Sequence, residues 1–347
     1  MKNKALKLVF VFLTCIGAEL KAQSDSVSFF TKRQFGRHLL ADHFGSDVKI
    51  GFGFSLARDE YDISPKKREV VVYSEPILGV DIPIYLRKTP AFDFSISVPV
   101  SFSVWLDFTE KRTAPILNTD YRVAPLELNI SRRFKHRNRF LKTIGLKITP
   151  LFHESTHLGD ELTIKRLQDS IPTVRVNVSY ETFNLEVFLN DAYGQMKPNH
   201  AFKLGTRILL QKEKGWYSAD PLESDTTRIP RSKLRAEYFL QYEYQNPDFL
   251  KLNKHSMFVF SADFSARISF GYPIYSQNPD LSWREELKGE FYRLGGNLMV
   301  GYKFYNESMK QSRFGVFLRT YWGVNYHGQF RNFHKFPMLG LTMVYTH

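Results

Sequence analysis

Apolar and polar residues alternate with a period of two along much of the chain. Between Phe92 and Leu106 every even-numbered position is apolar, while the odd-numbered positions carry mainly small polar residues. Because successive side chains of a β-strand point to opposite sides, this alternation predicts a strand with one apolar face and one polar face. The same alternation recurs elsewhere in the chain, which is therefore predicted to be all-β.

Several of these predicted strands are longer than the five or six residues usual in a soluble β-sandwich. Long strands with one apolar and one polar face are typical of outer-membrane barrels, which close because lipid tolerates no unpaired edge. We predict a transmembrane antiparallel up-and-down β-barrel of about twelve strands over residues 48–347. Short and long connections tend to alternate, which indicates periplasmic turns and external loops. The strands are predicted near 48–57, 78–87, 92–107, 120–133, 140–157, 173–190, 200–211, 232–246, 256–270, 289–305, 312–326 and 337–347.

Two segments precede the predicted barrel. Residues 1–22 have a lysine-rich start, a short apolar run and a polar end, which together predict a secretory signal peptide. Residues 23–47 are predicted to be a periplasmic segment, and its apolar residues would form a turn or two that plugs or flanks the periplasmic mouth. A loosely ordered lead-in is the alternative. The predicted signal peptide and the strand pattern together predict that the protein is located in the outer membrane of a Gram-negative bacterium.

The charge and cysteine content of the chain restrict the classes of protein and of binding partner to be considered. The 347 residues carry a formal net charge of +13 and one cysteine, which excludes disulfide scaffolds and cysteine-based zinc ribbons. Charges of both signs fall on the polar strand faces. Arg175, Arg207 and Arg267 would therefore either bind or pass small anionic solutes in the lumen, or join an ion-paired core. The expected partners are outer-membrane lipid, lipopolysaccharide and the barrel-assembly machinery, whose signal the last strand resembles, and no nucleic acid.

Residues 150–161 contain the densest group of reactive side chains, and three hypotheses fit them. His153 to His157 spells H-E-x-x-H, a zinc-protease motif. That motif requires a helix, where residues four apart lie about 6 Å from each other, whereas on a strand they are about 13 Å apart. The alternation that leads into the motif favours a strand, and Gly159 would end a helix early.

The second hypothesis is an outer-membrane acyl hydrolase. His153 and Ser155 are two residues apart, so on a strand they share a face, and histidine can activate a serine hydroxyl as nucleophile. Asn177 on the neighbouring strand is the candidate third member. This H-x-S spacing is similar to that of outer-membrane phospholipase A and the lipid A deacylases. Strand parity with Lys147 predicts that the pair faces the lumen.

The third hypothesis is structural or binding. In it, His157 continues a polar ladder to the mouth of the barrel, and Asp160 and Glu161 open an external loop. Two carboxylates can hold calcium, although adjacent acidic residues are usually only solvated. No other cofactor is expected, and the identity of any metal stays open. A related possibility is a surface protein that binds partners through its long loops.

A wider resemblance spans most of the chain beyond residue 22. Leu39-Leu40-Ala41-Asp42, the run H-x-S-x-H-L-G-D-E from His153 to Glu161, and an Asn-x-Ser strand at Asn177 resemble a bacterial domain-of-unknown-function family. This chain departs from the family in having His43-Phe44-Gly45 after the first motif. The resemblance implies an exported barrel whose activity is not established, and it implies that Glu154 is incidental to the motif.

Overall fold

A computed structural model describes residues 26–30, 35–45, 47–55, 70–109, 116–134, 141–159, 175–190, 197–210, 214–218, 233–270, 272–277, 283–288, 291–306, 311–327 and 337–345. These residues form strands joined by turns. No helix in the described part of the chain is long and apolar enough to cross a membrane. The strands are β1 (Ser26–Phe29), β2 (Val48–Ser55), β3 (Val71–Lys88), β4 (Asp93–Asp107), β5 (Ile116–Arg133), β6 (Thr143–Leu158), β7 (Arg175–Leu189), β8 (Asn199–Leu209), β9 (Lys214–Ser218), β10 (Lys233–Asn246), β11 (Ser256–Phe270), β12 (Tyr272–Gln277), β13 (Trp283–Lys288), β14 (Phe291–Asn306), β15 (Gln311–Trp322) and β16 (Met338–Tyr345).

Twelve of these strands close into one antiparallel barrel, which confirms the predicted fold and strand count. Following the wall, each of β2 to β8, then β10, β11, β14, β15 and β16, pairs with the next, and β16 pairs back onto β2. The short strand β1 extends the wall beside the end of β3. Strand β9 pairs with β7, and β12 with β13 forms a separate hairpin.

The two faces of the strands are sorted as the alternation predicts. Along β4 the odd-numbered residues are buried and the even-numbered apolar residues are partly or fully exposed. Phe54, Leu204 and Leu294 are among many apolar side chains that lie exposed on the outer wall, whereas the lumen holds most of the buried charged residues. An apolar outer surface around a polar interior is the arrangement of an outer-membrane barrel, and the chain is an outer-membrane protein.

The N-terminal segment enters the lumen, so residues 35–45, hereafter the plug, lie inside the barrel. Leu39, Leu40 and Ala41 are almost completely buried. The backbone of the plug is held by wall side chains: Glu243 Oε2 accepts from Leu40 N at 2.9 Å, and Lys49 Nζ donates to the carbonyl of Asp42 at 2.8 Å. Residues 35–45 therefore fill part of the lumen.

The chain also fills the lumen from the opposite end, in the connection after β15. Asn325, Tyr326 and His327 are buried. Tyr326 Oη donates to Glu75 Oε2 at 2.7 Å, and the His327 ring stacks on Trp105 with centroids 4.6 Å apart. The lumen is therefore occupied by chain from both ends.

The two ends of the barrel differ in the size of their connections. One end carries residues 89–92, 190–198, 247–255 and 307–310, together with the plug entry, and the other carries the longer connections 56–70, 159–174 and 271–290. Short turns lie on the periplasmic side of bacterial outer-membrane barrels. We therefore assign the long-connection end to the cell exterior.

Candidate functional site

A β-bulge in β6 decides where the candidate site residues point. The pairing of β6 with β7 shifts between Thr149 and Phe152, so that β6 has one residue more than its partner there. Lys147 and Thr149 are buried in the lumen before the bulge, and Phe152 and Glu154 are buried there after it. An extra residue exchanges the two faces of the strand, so His153, Ser155 and His157 lie on the outer wall. The prediction that His153 and Ser155 face the lumen is wrong.

The neighbouring strand β5 has the same interruption at the same height. Even-numbered residues such as Arg122 are buried before Pro125, and odd-numbered residues such as Glu127 are buried after it. Leu126 pairs with Leu151, beside Pro150 of β6. Proline cannot donate a ladder hydrogen bond and is found in sheets at bulges. The two prolines are therefore the sequence signal that parity is lost in both strands.

On the outer wall the reactive side chains form two hydrogen-bonded pairs. Ser155 Oγ lies 3.3 Å from His157 Nε2. His153 Nδ1 lies 3.2 Å from Glu181 Oε1 of β7, and these two side chains are 36% and 27% exposed. Glu181 therefore also lies on the outer wall, opposite His153. Ser155 is thus flanked by a histidine on each side, and the one in contact with its hydroxyl is His157.

An aromatic surface extends the site across the wall. The ring of Tyr121, opposite Ser155 on β5, packs edge-on against the His157 ring with centroids 5.6 Å apart. Phe102 of β4 follows at 5.0 Å from Tyr121. Tyr121 is 48% exposed. The site therefore opens onto an apolar outward-facing patch, and neither Tyr121 nor Phe102 was among the residues predicted from the sequence.

Behind the site, the lumen side of the same strands is tightly bonded. Arg122 Nε donates to Glu154 Oε1 at 3.2 Å, and its Nη2 donates to Asp120 Oδ2 at 3.2 Å. The plug residue Phe44 packs on Phe152 with ring centroids 6.2 Å apart and lies under the Arg122 guanidinium. These inward contacts hold the segment that presents Ser155 outward.

The H-E-x-x-H hypothesis fails on conformation. His153 to His157 is part of strand β6, and Glu154 points into the lumen on the face opposite to both histidines. The helix on which this motif binds zinc is not formed. Among the described residues, no group of three or more histidine or acidic side chains is arranged to hold a metal ion. Asp160 and Glu161, the candidate calcium ligands, lie outside the described residues.

Two of the remaining candidate residues lie on strand β7, and the other two lie in the lumen. Asn177 and Arg175 belong to β7, where Asn177 pairs with Trp216 and Arg175 with Ser218 of β9. Their side chains are outside the described part. Arg207 and Arg267 face the lumen as expected, and both bind Glu237, Arg267 Nη2 at 2.8 Å from Oε2. Arg207 also lies 3.6 Å from Asp42 of the plug.

Comparison with known proteins gives similar solved structures of low sequence identity. No protein-family model matches the chain, and no curated protein matches it. Among solved structures, the chain is similar to the Salmonella typhi outer membrane phospholipase (OMPLA) dimer with bound calcium, at 11% identity and a TM-score of 0.45, with 87% of this chain and 91% of that chain covered. The chain is also similar to outer membrane phospholipase A from Escherichia coli, at 12% identity and a TM-score of 0.45, with 90% of this chain and 95% of that chain covered.

LpxR from Salmonella typhimurium is a third similar structure, at 9% identity and a TM-score of 0.35, with 86% of this chain and 100% of that chain covered. Similarity this low does not extend to activity, so the function of this chain rests on its own geometry. The resemblance to the domain-of-unknown-function family stays a prediction.

Proposed function

We propose that this protein is an outer-membrane lipid acyl hydrolase in which Ser155 is the nucleophile and His157 the general base. The observation that carries the proposal is the contact of Ser155 Oγ with His157 Nε2 at 3.3 Å on the lipid-facing side of the wall. Nucleophile and base distances of this size are usual before a substrate is bound. An acyl lipid in the bilayer reaches such a site without leaving the membrane.

The reaction follows from the two groups. Ser155 Oγ attacks the ester carbonyl carbon while His157 Nε2 takes the hydroxyl proton. The tetrahedral adduct then collapses, the ester C–O bond breaks, and His157 returns the proton to the departing alcohol. Water, deprotonated by the same nitrogen, then attacks the acyl-serine carbonyl; the acyl C–Oγ bond breaks, the fatty acid leaves, and His157 returns the proton to Ser155 Oγ. No redox partner is needed.

His153 has a separate part in this proposal. Its Nδ1 is engaged by Glu181 at 3.2 Å, so the imidazole is held beside the nucleophile but turned toward β7. Successive same-face residues of a strand are about 6.7 Å apart, which suits a group that orients the polar part of a lipid. The alternative assignment is His153 as the base and Asn177 as the third member; in the structure the residue that contacts His153 is Glu181, four residues along β7 from Asn177.

The position along the barrel indicates which lipid is available. Ser155 is three residues from the end of β6, on the side of the long connection 159–174. We infer that the site faces the outer leaflet, where the acyl esters are those of lipopolysaccharide and of phospholipids that have reached this leaflet. The aromatic patch of Tyr121 and Phe102 would lie along an acyl chain.

Lipid profiling tests the activity. Cells that produce Ser155→Ala are compared with cells that produce the wild type, with the amount of heat-modifiable barrel matched between them. We expect wild-type cells to contain deacylated lipid A or lysophospholipid that the variant lacks. The same acyl pattern in both would contradict the proposal, as would hydrolysis of micellar ester lipid by the purified variant at the wild-type rate.

A comparison of two histidine variants tests the base. His157→Asn should lower the hydrolysis rate about 10²–10⁴-fold, the usual contribution of a general base, and His153→Asn should have the smaller effect. His200→Asn is the matched control, because His200 is also on the wall and bonds to Tyr242 at 2.8 Å, away from Ser155. The reverse order of His153 and His157 would assign the base to His153.

Passage or binding of anionic solutes in the lumen has less support. Arg207 and Arg267, the candidate anion ligands, share Glu237, and the plug occupies the space between the walls. The loop-mediated partner role depends on the segments 159–174 and 271–290, of which the structure describes only Gly159 and the β12–β13 hairpin.

A further inference from the structure

The turn between β10 and β11, residues 247–255, is unlike the turn between β3 and β4 at the same end of the barrel. It exposes three large apolar side chains, Phe249 at 48%, Leu250 at 59% and Leu252 at 60%. In the β3–β4 turn the exposed residues are Pro90 and Ala91. Exposed apolar clusters of this kind mark surfaces that contact another apolar phase.

The turn is folded against the lipid-facing wall. The Phe249 ring packs on Phe258 of β11 and Tyr244 of β10, with centroids 5.1 and 6.4 Å away. Tyr302 Oη on β14 donates to the carbonyl of Leu250 at 2.8 Å. The apolar side chains of the turn therefore continue the membrane-facing surface of the barrel rather than extending into water.

Hydrogen bonds fix this conformation at both ends of the turn. Asn246 Oδ1 accepts from the backbone nitrogens of Asp248 and Phe249 at 2.8 and 3.3 Å. Asn253 Oδ1 accepts from His255 N at 2.8 Å, and Tyr305 N donates to the His255 carbonyl at 2.7 Å. The exposed apolar side chains are thus presented by a braced backbone.

Two lysines are interspersed with these apolar residues. Lys251 lies between Leu250 and Leu252, and Lys254 follows two residues later, both exposed. A lysine beside interfacial apolar residues can extend its ammonium group to the headgroup level while its methylenes stay in apolar surroundings. Basic groups near a membrane surface favour anionic lipids.

We propose that residues 247–255 form a membrane-interface wedge that binds anionic phospholipid of the periplasmic leaflet. Phe249, Leu250 and Leu252 would enter the boundary between headgroups and acyl chains, and Lys251 and Lys254 would bind the phosphates. The wedge lies at the opposite end of the barrel from Ser155, so it does not depend on hydrolysis.

A depth measurement tests the apolar part. Leu252→Cys in a Cys15→Ser background is labelled with an environment-sensitive fluorophore, and the barrel is folded into equimolar phosphatidylcholine and phosphatidylglycerol vesicles. Ala91→Cys, in the β3–β4 turn, is the control. We expect spin-labelled lipid to quench the label at 252 more than the label at 91, and aqueous iodide to do the reverse. Equal accessibility to iodide at the two positions would overturn the proposal.

A lipid-preference measurement tests the lysines. Native mass spectrometry of the full chain gives the association constant for phosphatidylglycerol relative to phosphatidylcholine. Lys251→Gln and Lys254→Gln should each lower this ratio about fivefold. Lys88→Gln, beside the control turn, should leave it unchanged. An unaltered ratio in the double variant would overturn headgroup binding, and this test holds even if the cysteine variant does not fold.

Discussion

The lumen and the outer wall contain the same kinds of polar residue in opposite circumstances. In the lumen, Glu237 is 3% exposed and binds two arginines, so its charge is compensated and inaccessible. On the wall, Ser155 and His157 bond to each other on the outward-facing side of the barrel. Buried ion pairs of the first kind hold a narrow barrel together, whereas an accessible hydroxyl beside an imidazole is equipped for chemistry. Under the proposed function, structural ion pairs therefore lie in the lumen and the reactive pair lies on the outer wall.

Opening the lumen should give the largest change, from a closed barrel to a conducting one. Replacing residues 35–45 and 324–327 together by Gly/Ser linkers of equal length removes the chain that fills the lumen from each end. Discrete conductance steps are expected in planar bilayers, where the wild type should give none, and each single replacement is the control. A silent double variant would mean that side chains of the wall alone close the lumen.

Breaking a lumen ion pair should cost stability. Glu237→Gln leaves Arg207 and Arg267 buried without their shared carboxylate, and removal of one partner of a buried pair costs about 3 kcal/mol or more. Urea unfolding in detergent micelles measures it. Arg133→Gln is the control, because Arg133 is 60% exposed in its pair with Asp93 and should contribute less than about 1 kcal/mol. If both variants lowered the free energy of unfolding equally, the buried lumen pair would contribute no more to stability than the exposed pair.

Acid should weaken the seating of the plug through His43. Burial, reinforced by the Arg207 guanidinium, holds the pKa of His43 well below its ordinary value. His43 lies among Asp42, Arg122, Arg207 and Arg319, with Asp263 at 3.4 Å. The unfolded chain therefore takes up this proton first, and stability falls as pH drops below about 6.5, by at most about 1.4 kcal/mol per pH unit.

The variant His43→Gln removes this titration. As the pH is lowered from about 6.5 to 5, the wild type should lose stability that the variant keeps. The free energy of unfolding of the wild type relative to that of the variant should therefore decrease over this range. A difference that is constant over this range would show that His43 does not titrate on unfolding.

The smallest expected effect concerns the aromatic support of the base. Tyr121→Ala removes the ring packed on His157, an edge contact worth about 1 kcal/mol, or about fivefold in hydrolysis rate. Tyr121→Phe should keep the rate, and Tyr238→Ala, which removes another half-exposed tyrosine from the wall, should not change it. If Phe and Ala at position 121 lower the rate equally, the hydroxyl is the important group.

Most of the fold could be predicted because period-two alternation is a local signal. Each of the twelve predicted strands corresponds to a wall strand, within a few residues except at the start of β3, where the wall begins at Val71 rather than near 78. The alternation in that early part of β3 is interrupted by Ser74 and Glu75, both buried. The additional strand β1 is only four residues long, which is too short for an alternation of apolar and polar residues to be recognised in the sequence.

The orientation of the candidate site could not be obtained from alternation, because a bulge ends the relation between residue number and face. Pro150 and Pro125 were visible in the sequence, yet a proline does not state on which side the strand resumes. The Ser155–His157 contact depends on rotamers, and the His153–Glu181 contact depends on the register of β6 against β7. Neither is fixed by spacing.

The bulge at Pro150 has a consequence for barrel engineering. One inserted residue converts a buried row of polar side chains into a row displayed to the bilayer while the rest of the wall keeps its register. In other strands of this scaffold, designed single-residue insertions with a matching insertion in the adjacent strand would transfer chosen functional groups from interior to lipid surface, so that new membrane-facing sites need no new fold.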